Sequence, residues 1–229
     1  MIWLNGLGVK PTIFPDKTSQ VWKLPDAAFV GDNLIEWEFE SEGELMHVAQ
    51  LRQLISSKMQ SASLHMPYPP YARQDKPVSN TTTFAGHTFC FLIQQMDFKK
   101  VSVFDPHNPA FLLQFGIRWE FVSAAASIQQ AISSCAPDLI VYPDLGASKR
   151  YGLSFPHIHC SKLRDQLSGS INGVSVGGDV AGKRVLMVDD ICDGGATFIA
   201  LAEAMRAAQE INLYVSHGLF SRGVDVLRA

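Results

Sequence analysis

The chain contains the run Arg184-Val-Leu-Met-Val-Asp-Asp-Ile-Cys-Asp-Gly-Gly-Ala-Thr197, in which an apolar segment passes through two adjacent carboxylates into a glycine-bearing loop. The apolar segment predicts a buried strand, and the residues from Ala196 to about Ala208 predict a helix. Ligands of open parallel sheets bind at the carboxyl ends of the strands. We therefore expect Asp189 and Asp190 to lie at a binding site.

The loop has the chemistry of a phosphate site. Gly194 and Gly195 allow the backbone to approach an anion closely, Thr197 adds a hydroxyl, and the following helix begins with unpaired N–H groups. Because two carboxylates would repel a bare phosphate, the acidic pair is expected to contact sugar hydroxyls or hydrated Mg²⁺. A phosphorylated ribose meets both demands. The alternative is a buried strand that merely ends in an acidic helix cap.

Composition limits the possible functions. The 229 residues are 47% hydrophobic and 18% charged, which is typical of a soluble globular protein. The net charge of -3 argues against nucleic acid as a partner. The four cysteines form no CxxC pair, and no apolar stretch approaches the ~20 residues of a membrane span. These features predict no disulfide, no membrane partner and a cytoplasmic location.

Strands and helices alternate along most of the chain, which predicts an α/β fold. The small, polar residues 124–127 suggest a boundary between two domains, 1–125 and 126–229. Each domain is expected to contain a mainly parallel sheet flanked by helices. Residues 161–179 are polar and include four glycines, so they are interpreted as a long mobile loop.

Three further polar segments follow predicted strands. They are the proline-rich Pro67-Tyr-Pro-Pro-Tyr-Ala-Arg-Gln-Asp-Lys76, Asp105-Pro-His107-Asn108, and Tyr142-Pro-Asp-Leu-Gly-Ala-Ser-Lys-Arg150. A fourth, Lys162-Leu-Arg164, opens the expected loop and could neutralise a transferring phosphoryl group. Taken singly, each segment has an ordinary interpretation, such as a solvated loop or a surface helix carrying an exposed charge pair.

Together with Ser216-His-Gly-Leu-Phe-Ser221, these motifs resemble those of ribose-phosphate pyrophosphokinases, in the same order along the chain. This chain looks like a divergent, short member of that family. The resemblance implies two phosphoribosyltransferase-like domains. It also implies transfer of the diphosphate of ATP to the C1 hydroxyl of ribose 5-phosphate, with Mg²⁺, giving phosphoribosyl pyrophosphate and AMP.

The resemblance also assigns roles to individual residues. Arg73, Gln74, Asp75 and His107 would bind ATP; His107 and Asp144 would hold Mg²⁺; Lys162 and Arg164 would be catalytic; Asp189 and Asp190 would bind ribose hydroxyls; and Asp193, Gly194, Gly195, Ala196 and Thr197 would cradle the 5-phosphate. A homo-oligomer is the assembly expected from the family.

Several departures from the family pattern widen the range of functions that the sequence allows. Gly194 stands where the family has a threonine, so the acceptor could be a larger 5-substituted ribose such as ADP-ribose. The family's Phe-x-Asp/Asn-Gly-Glu element, which reaches an adjacent subunit, appears only as Phe39-Glu-Ser-Glu-Gly-Glu44. The sequence is also compatible with a phosphoribosyltransferase or with a non-catalytic regulatory relative.

Overall fold

The computed structural model describes residues 1–164 and 171–228, with only the backbone described for residues 162–164 and 171–172. The chain forms two compact units, Met1–Val122 and Ser123–Ala229. Each unit contains its own sheet and its own buried apolar cluster. The expected α/β class is confirmed.

The first unit contains a six-stranded sheet in the order β2-β1-β5-β6-β7-β8. Strands β5 to β8 run parallel to one another, whereas β1 is antiparallel to β2 and β5. The strands are Ile2–Leu4 (β1), Leu7–Gly8 (β2), Thr12–Ile13 (β3), Ser19–Gln20 (β4), Asp32–Trp37 (β5), Ser61–His65 (β6), Val101–Phe104 (β7) and Trp119–Val122 (β8); β3 and β4 form a separate hairpin. The helices are Gly43–Ser57 (α1), Ala85–Gln95 (α2) and Pro109–Leu112 (α3).

The second unit contains a five-stranded sheet in the order β11-β10-β9-β12-β13. All its pairings are parallel except that between β10 and β11. The strands are Leu139–Tyr142 (β9), His157–Arg164 (β10), Ile171–Val176 (β11), Arg184–Cys192 (β12) and Glu210–Gly218 (β13). The helices are Ala125–Cys135 (α4), Leu145–Tyr151 (α5) and Ala196–Ala204 (α6).

Burial explains why these segments adopt their structures. All four residues of β9 are buried, as expected for a central parallel strand that is covered on both faces. Along α1, Val48, Leu51 and Ile55 recur at helical spacing and are fully buried, so this face packs into the first core. The predicted helix of the quoted run is α6, and it ends at Ala204, earlier than expected.

The expectation of a loop over residues 161–179 is wrong for residues 161–164 and 171–176, which form strands, whereas residues 177–179 lie in no strand or helix. Residues 161–164 extend β10, and β11 returns antiparallel to them, with Lys162 paired with Val174. Glycines predict loops, but Gly177, directly after β11, also permits a close approach to the backbone of β10. A Cβ there would lie 2.3 Å from the carbonyl oxygen of His159.

Candidate phosphate and nucleotide sites

The glycine loop of the second unit joins β12 to α6. Gly195 is the residue before α6 and has φ 77°, a left-handed conformation that glycine adopts without strain. No side chain among the described residues caps α6, and its first intrahelical bond runs from the Ile199 N–H to the Gly195 carbonyl, 3.0 Å. The N–H groups of the first turn are therefore oriented toward the loop, where an anion would meet them.

The acidic pair at the end of β12 is divided between two environments. Asp190 is 4% exposed and forms an ion pair with Arg150 of α5, with 2.9 Å between Nη1 and Oδ2. Asp189 is only partly buried. Burial first, and then the charge of Asp190, raise the pKa of Asp189 to about 7, and Asp144 adds to this effect. A cation or hydroxyl donor beside Asp189 would relieve this repulsion.

Arg150 is a residue whose role the sequence did not reveal. The Lys149-Arg150 pair had the alternative interpretation of a solvated surface charge, yet the Arg150 side chain is only 24% exposed. Its helix follows β9, which is the parallel neighbour of β12. This placement brings the guanidinium to the acidic end of β12.

Asp144 lies at the carboxyl end of β9 and caps α5. Its Oδ1 accepts a hydrogen bond from the Ala147 N–H at 3.0 Å. The capping bond fixes the carboxylate at the same sheet edge as Asp189, whose pKa it influences. Aspartates 144, 189 and 190 thus lie at the same edge of the sheet, and their roles toward a ligand stay predictions.

In the first unit, residues 67–76 form a turn that packs against the start of α2. Tyr71 has φ 62°, and the Gln74 N–H donates to its carbonyl at 2.8 Å. The Gly86 N–H in turn donates to the Gln74 carbonyl at 3.2 Å. A Cβ on Gly86 would lie 2.4 Å from that oxygen, so only glycine permits this approach. The turn is held by its backbone.

The predicted ATP-binding side chains have different environments. Arg73 and Gln74 are exposed, whereas Asp75 is partly buried and accepts a hydrogen bond from Asn108 Nδ2 at 2.5 Å. Asn108 also caps α3 by accepting from the Phe111 N–H at 3.1 Å. Asn108 therefore ties the turn after β6 to the loop after β7, a contact that sequence reasoning missed.

His107 lies next to Asn108 and lines a small, mostly apolar pocket with Pro70, Tyr71, Phe89 and Phe111. Tyr71 packs against Phe89, with 5.6 Å between ring centroids. A hydrogen bond to Glu42 raises the pKa of Tyr71 to about 12, so the phenol stays protonated as a donor. His107 is therefore beside the turn that carries Arg73 and Gln74.

Glu44, the last residue of the altered Phe39–Glu44 element, is bound within its own unit. It accepts from Trp37 Nε1 at 3.0 Å, from the Glu40 N–H at 2.7 Å and from the Met1 amino group at 2.7 Å. Burial acts to raise the pKa of Glu44, but these hydrogen bonds prevail and lower it. This carboxylate serves local structure.

The two predicted catalytic residues lie on β10. The backbones of Lys162 and Arg164 pair with Val174 and Ile171 of β11. Their side chains, and the whole of residues 165–170, lie outside the described residues. Their proposed contact with a phosphoryl group stays a prediction.

Clusters of three or more metal-binding side chains and membrane-spanning helices are both absent among the described residues. No group of three or more His, Cys, Asp or Glu side chains there is arranged to hold a metal ion. None of the helices in the described part of the chain is long and apolar enough to cross a membrane. A metal held by one or two side chains and by substrate phosphates would not form such a group.

Comparison with known proteins identifies relatives, although no family model matches the chain. The chain is 27% identical over 191 residues to the ribose-phosphate pyrophosphokinase of Agrobacterium fabrum, covering 77% of this chain and 61% of that protein. It is 31% identical over 170 residues to that of Thermococcus kodakarensis, covering 70% and 59%. The matched region thus spans less than two thirds of these relatives.

A solved structure supports the fold over most of the chain. Phosphoribosylpyrophosphate synthetase from Mycobacterium smegmatis matches with a TM-score of 0.78 at 19% identity, covering 93% of this chain and 73% of the other. The resemblance inferred from the motifs and the fold of two phosphoribosyltransferase-like domains are both confirmed.

Proposed function

This chain is a divergent relative of the ribose-phosphate pyrophosphokinases, and we propose that it transfers the diphosphate of ATP to the C1 hydroxyl of ribose 5-phosphate. The products would be phosphoribosyl pyrophosphate and AMP. The observation that carries the proposal is the glycine loop before α6, beside the acidic end of β12, where no described side chain caps the helix. The same kinship supports a homo-oligomer in the cytoplasm, and both remain predictions.

The second unit has groups suited to the acceptor. The N–H groups at the start of α6 and the Thr197 hydroxyl would bind the 5-phosphate. Asp189 would accept hydrogen bonds from the ribose hydroxyls, since it is partly exposed and gains from a donor. Asp190 would keep Asp189 oriented, because its own carboxylate is bound by Arg150 and its N–H donates to Asp189 Oδ1 at 2.9 Å.

The first unit has groups suited to ATP. The exposed Arg73 and Gln74 would contact phosphate oxygens and the base, respectively, from a turn whose backbone is anchored on Gly86. Asp75 would act mainly by holding that turn to Asn108. A rigid turn reduces the ordering cost of nucleotide binding.

In the second unit, the Asp144 carboxylate fits Mg²⁺, which prefers oxygen ligands and keeps several waters. The carboxylate of Asp144 has its Oδ1 on the Ala147 N–H, and its second oxygen is suited to a metal or to a metal-bound water. In the first unit, the imidazole of His107, in the loop after β7, is a separate candidate ligand for a metal. When bound, Mg²⁺ would neutralise charge on the ATP phosphates.

The chain's own contribution to the chemistry would be positioning and charge neutralisation. The C1 oxygen of the sugar would form a bond to the β-phosphorus of ATP as the bond from this phosphorus to the α,β-bridging oxygen breaks. AMP would depart with the bridging oxygen, and the hydroxyl proton would pass to solvent. Lys162 and Arg164 would stabilise the charge on the transferred group.

A second acceptor is favoured by one observation. Gly194 offers no side chain to the 5-phosphate, so a larger 5-substituent, such as the diphosphate of ADP-ribose, would meet no side chain of that residue. A phosphoribosyltransferase would not need the turn that carries Arg73 and Gln74, and a regulatory relative would not need Lys162. The transferase and regulatory functions are therefore less well supported.

An AMP-release assay tests the proposal. We expect AMP from ATP only when ribose 5-phosphate or ADP-ribose is present. Lys162→Ala should lower kcat far more than it weakens ATP binding, since its charge acts on the transferring group. Lys58→Ala is a matched control, because Lys58 is paired with Asp26 in the first unit. ADP as the only nucleotide product would contradict diphosphate transfer.

A further inference from the structure

Residues 219–228 fold onto the glycine loop. The Leu219 and Phe220 N–H groups donate to the Cys192 carbonyl at 2.8 and 3.3 Å. At the other end of the segment, Leu227 packs so closely on Gly195 that a Cβ there would lie 2.9 Å from Leu227 Cδ2. The segment is thus attached at both ends to the loop that would bind the 5-phosphate.

Between these attachments, Arg222 lies over Gly194. A Cβ on Gly194 would be 3.4 Å from Arg222 Nε, 3.5 Å from Cδ and 3.7 Å from Cγ. The arginine side chain therefore borders the space into which a side chain at position 194 would project. Gly194 lacks the threonine hydroxyl of the family pattern, but the cationic side chain of Arg222 lies beside it.

The Arg222 guanidinium has no polar contact within the described part of the chain. Arg222 is exposed, and it makes no hydrogen bond or ion pair with any described residue. Asp225, the nearest acidic residue along the segment, is paired with Arg228 at 3.3 Å. The nearest acidic residue of the loop, Asp193, is exposed.

We propose that Arg222 is a specificity-determining residue that binds a phosphate oxygen of the acceptor's 5-substituent, in place of the side chain that Gly194 lacks. The inference rests on the proposed function, since it takes the loop as the 5-phosphate site. A guanidinium matches phosphate with paired, charge-assisted hydrogen bonds, and it reaches further than a threonine hydroxyl. The phosphate could be the one on the loop or a second one attached to it.

Calorimetry without ATP separates binding from catalysis. Ribose 5-phosphate and ADP-ribose are titrated separately into the full chain. Arg222→Ala should weaken at least one of them about tenfold or more, the scale of a lost charge-assisted hydrogen bond. Arg222→Lys should recover part of the loss. The matched control is Arg206→Ala, which removes an exposed arginine beyond the far end of α6.

A double variant tests the exchange between positions 194 and 222. A threonine at 194 restores the missing hydroxyl, so Gly194→Thr in the Arg222→Ala background should strengthen ribose 5-phosphate binding. Weakening of both ligands by Arg222→Ala assigns the contact to the loop phosphate, and weakening of ADP-ribose alone assigns it to the second phosphate.

The inference is overturned if Arg222→Ala binds both ligands as Arg206→Ala does, or if the unaltered chain binds neither. Failure of the proposed function alone would look different. In that case ribose 5-phosphate or ADP-ribose would bind in an Arg222-dependent way, but no AMP would form when ATP was added.

Discussion

Gly86→Ala tests the packing of the nucleotide turn against α2. The new Cβ would lie 2.4 Å from the Gln74 carbonyl oxygen, whereas ordinary contact begins near 3.4 Å. The turn would have to retreat by about 1 Å, which would break the 3.2 Å hydrogen bond from the Gly86 N–H. The same shift would displace Arg73 and Gln74.

The expected cost combines three contributions. Overpacking costs about 1–3 kcal/mol, and the lost hydrogen bond costs about 1 kcal/mol. The higher helix propensity of alanine offsets up to about 1 kcal/mol. We therefore expect the free energy of unfolding to fall by about 1–4 kcal/mol and ATP affinity to fall with it.

Gly43→Ala is the matched control. Gly43 begins α1, and a Cβ there would meet no atom within 4 Å. This change should leave stability unchanged or raise it by up to about 1 kcal/mol. Urea denaturation measures both variants, and calorimetry measures ATP binding. Equal stabilities for the two alanine variants, with unchanged ATP affinity, would refute the proposed packing.

Three further predictions concern the polar contacts. The pKa of Asp189 is raised from 3.8 to about 7, so between about pH 4 and 7 the folded protein binds more protons than the unfolded protein. As pH rises through this window, Asp189→Asn should therefore gain stability relative to the parent protein. A stability difference in urea denaturation that does not change with pH would contradict this prediction. Arg150→Met should lower the free energy of unfolding by about 3 kcal/mol, because it leaves the buried Asp190 without its cation. Adding Asp190→Asn should recover much of that loss. Equal stabilities of the single and double variants would argue against the pairing. Asn108→Ala should weaken ATP binding in calorimetry and leave ribose 5-phosphate binding unchanged, because Asp75 loses its hydrogen bond from Asn108. Unchanged ATP binding would show that this hydrogen bond is dispensable.

The fold could be predicted wherever the local residue pattern and the order of segments along the chain determine the structure. The apolar run of β12, the glycines after it and the helix α6 all follow from short-range rules of burial and backbone conformation. The antiparallel pairing of β10 with β11 does not follow from the sequence pattern, because glycine occurs both in loops and where two backbones lie close together. Gly177 permits such a close approach to the His159 carbonyl.

The candidate site was predictable only in part. Strand ends identified Asp144, Asp189 and Asp190, because topology alone brings them to one sheet edge. The pairings of Arg150 with Asp190 and of Asn108 with Asp75 are tertiary, and nothing in local sequence specifies them. The position of Arg222 over Gly194 likewise depends on how residues 219–228 fold back.

Phosphorus NMR of the reaction tests the proposed function most directly. The protein is incubated with Mg²⁺ and ATP, with ribose 5-phosphate in one tube and ADP-ribose in another. We predict that AMP and a new diphosphate on the sugar C1 appear together in at least one tube, and the tube identifies the acceptor. ATP left intact in both tubes, or split without a sugar diphosphate, would contradict the proposed transfer.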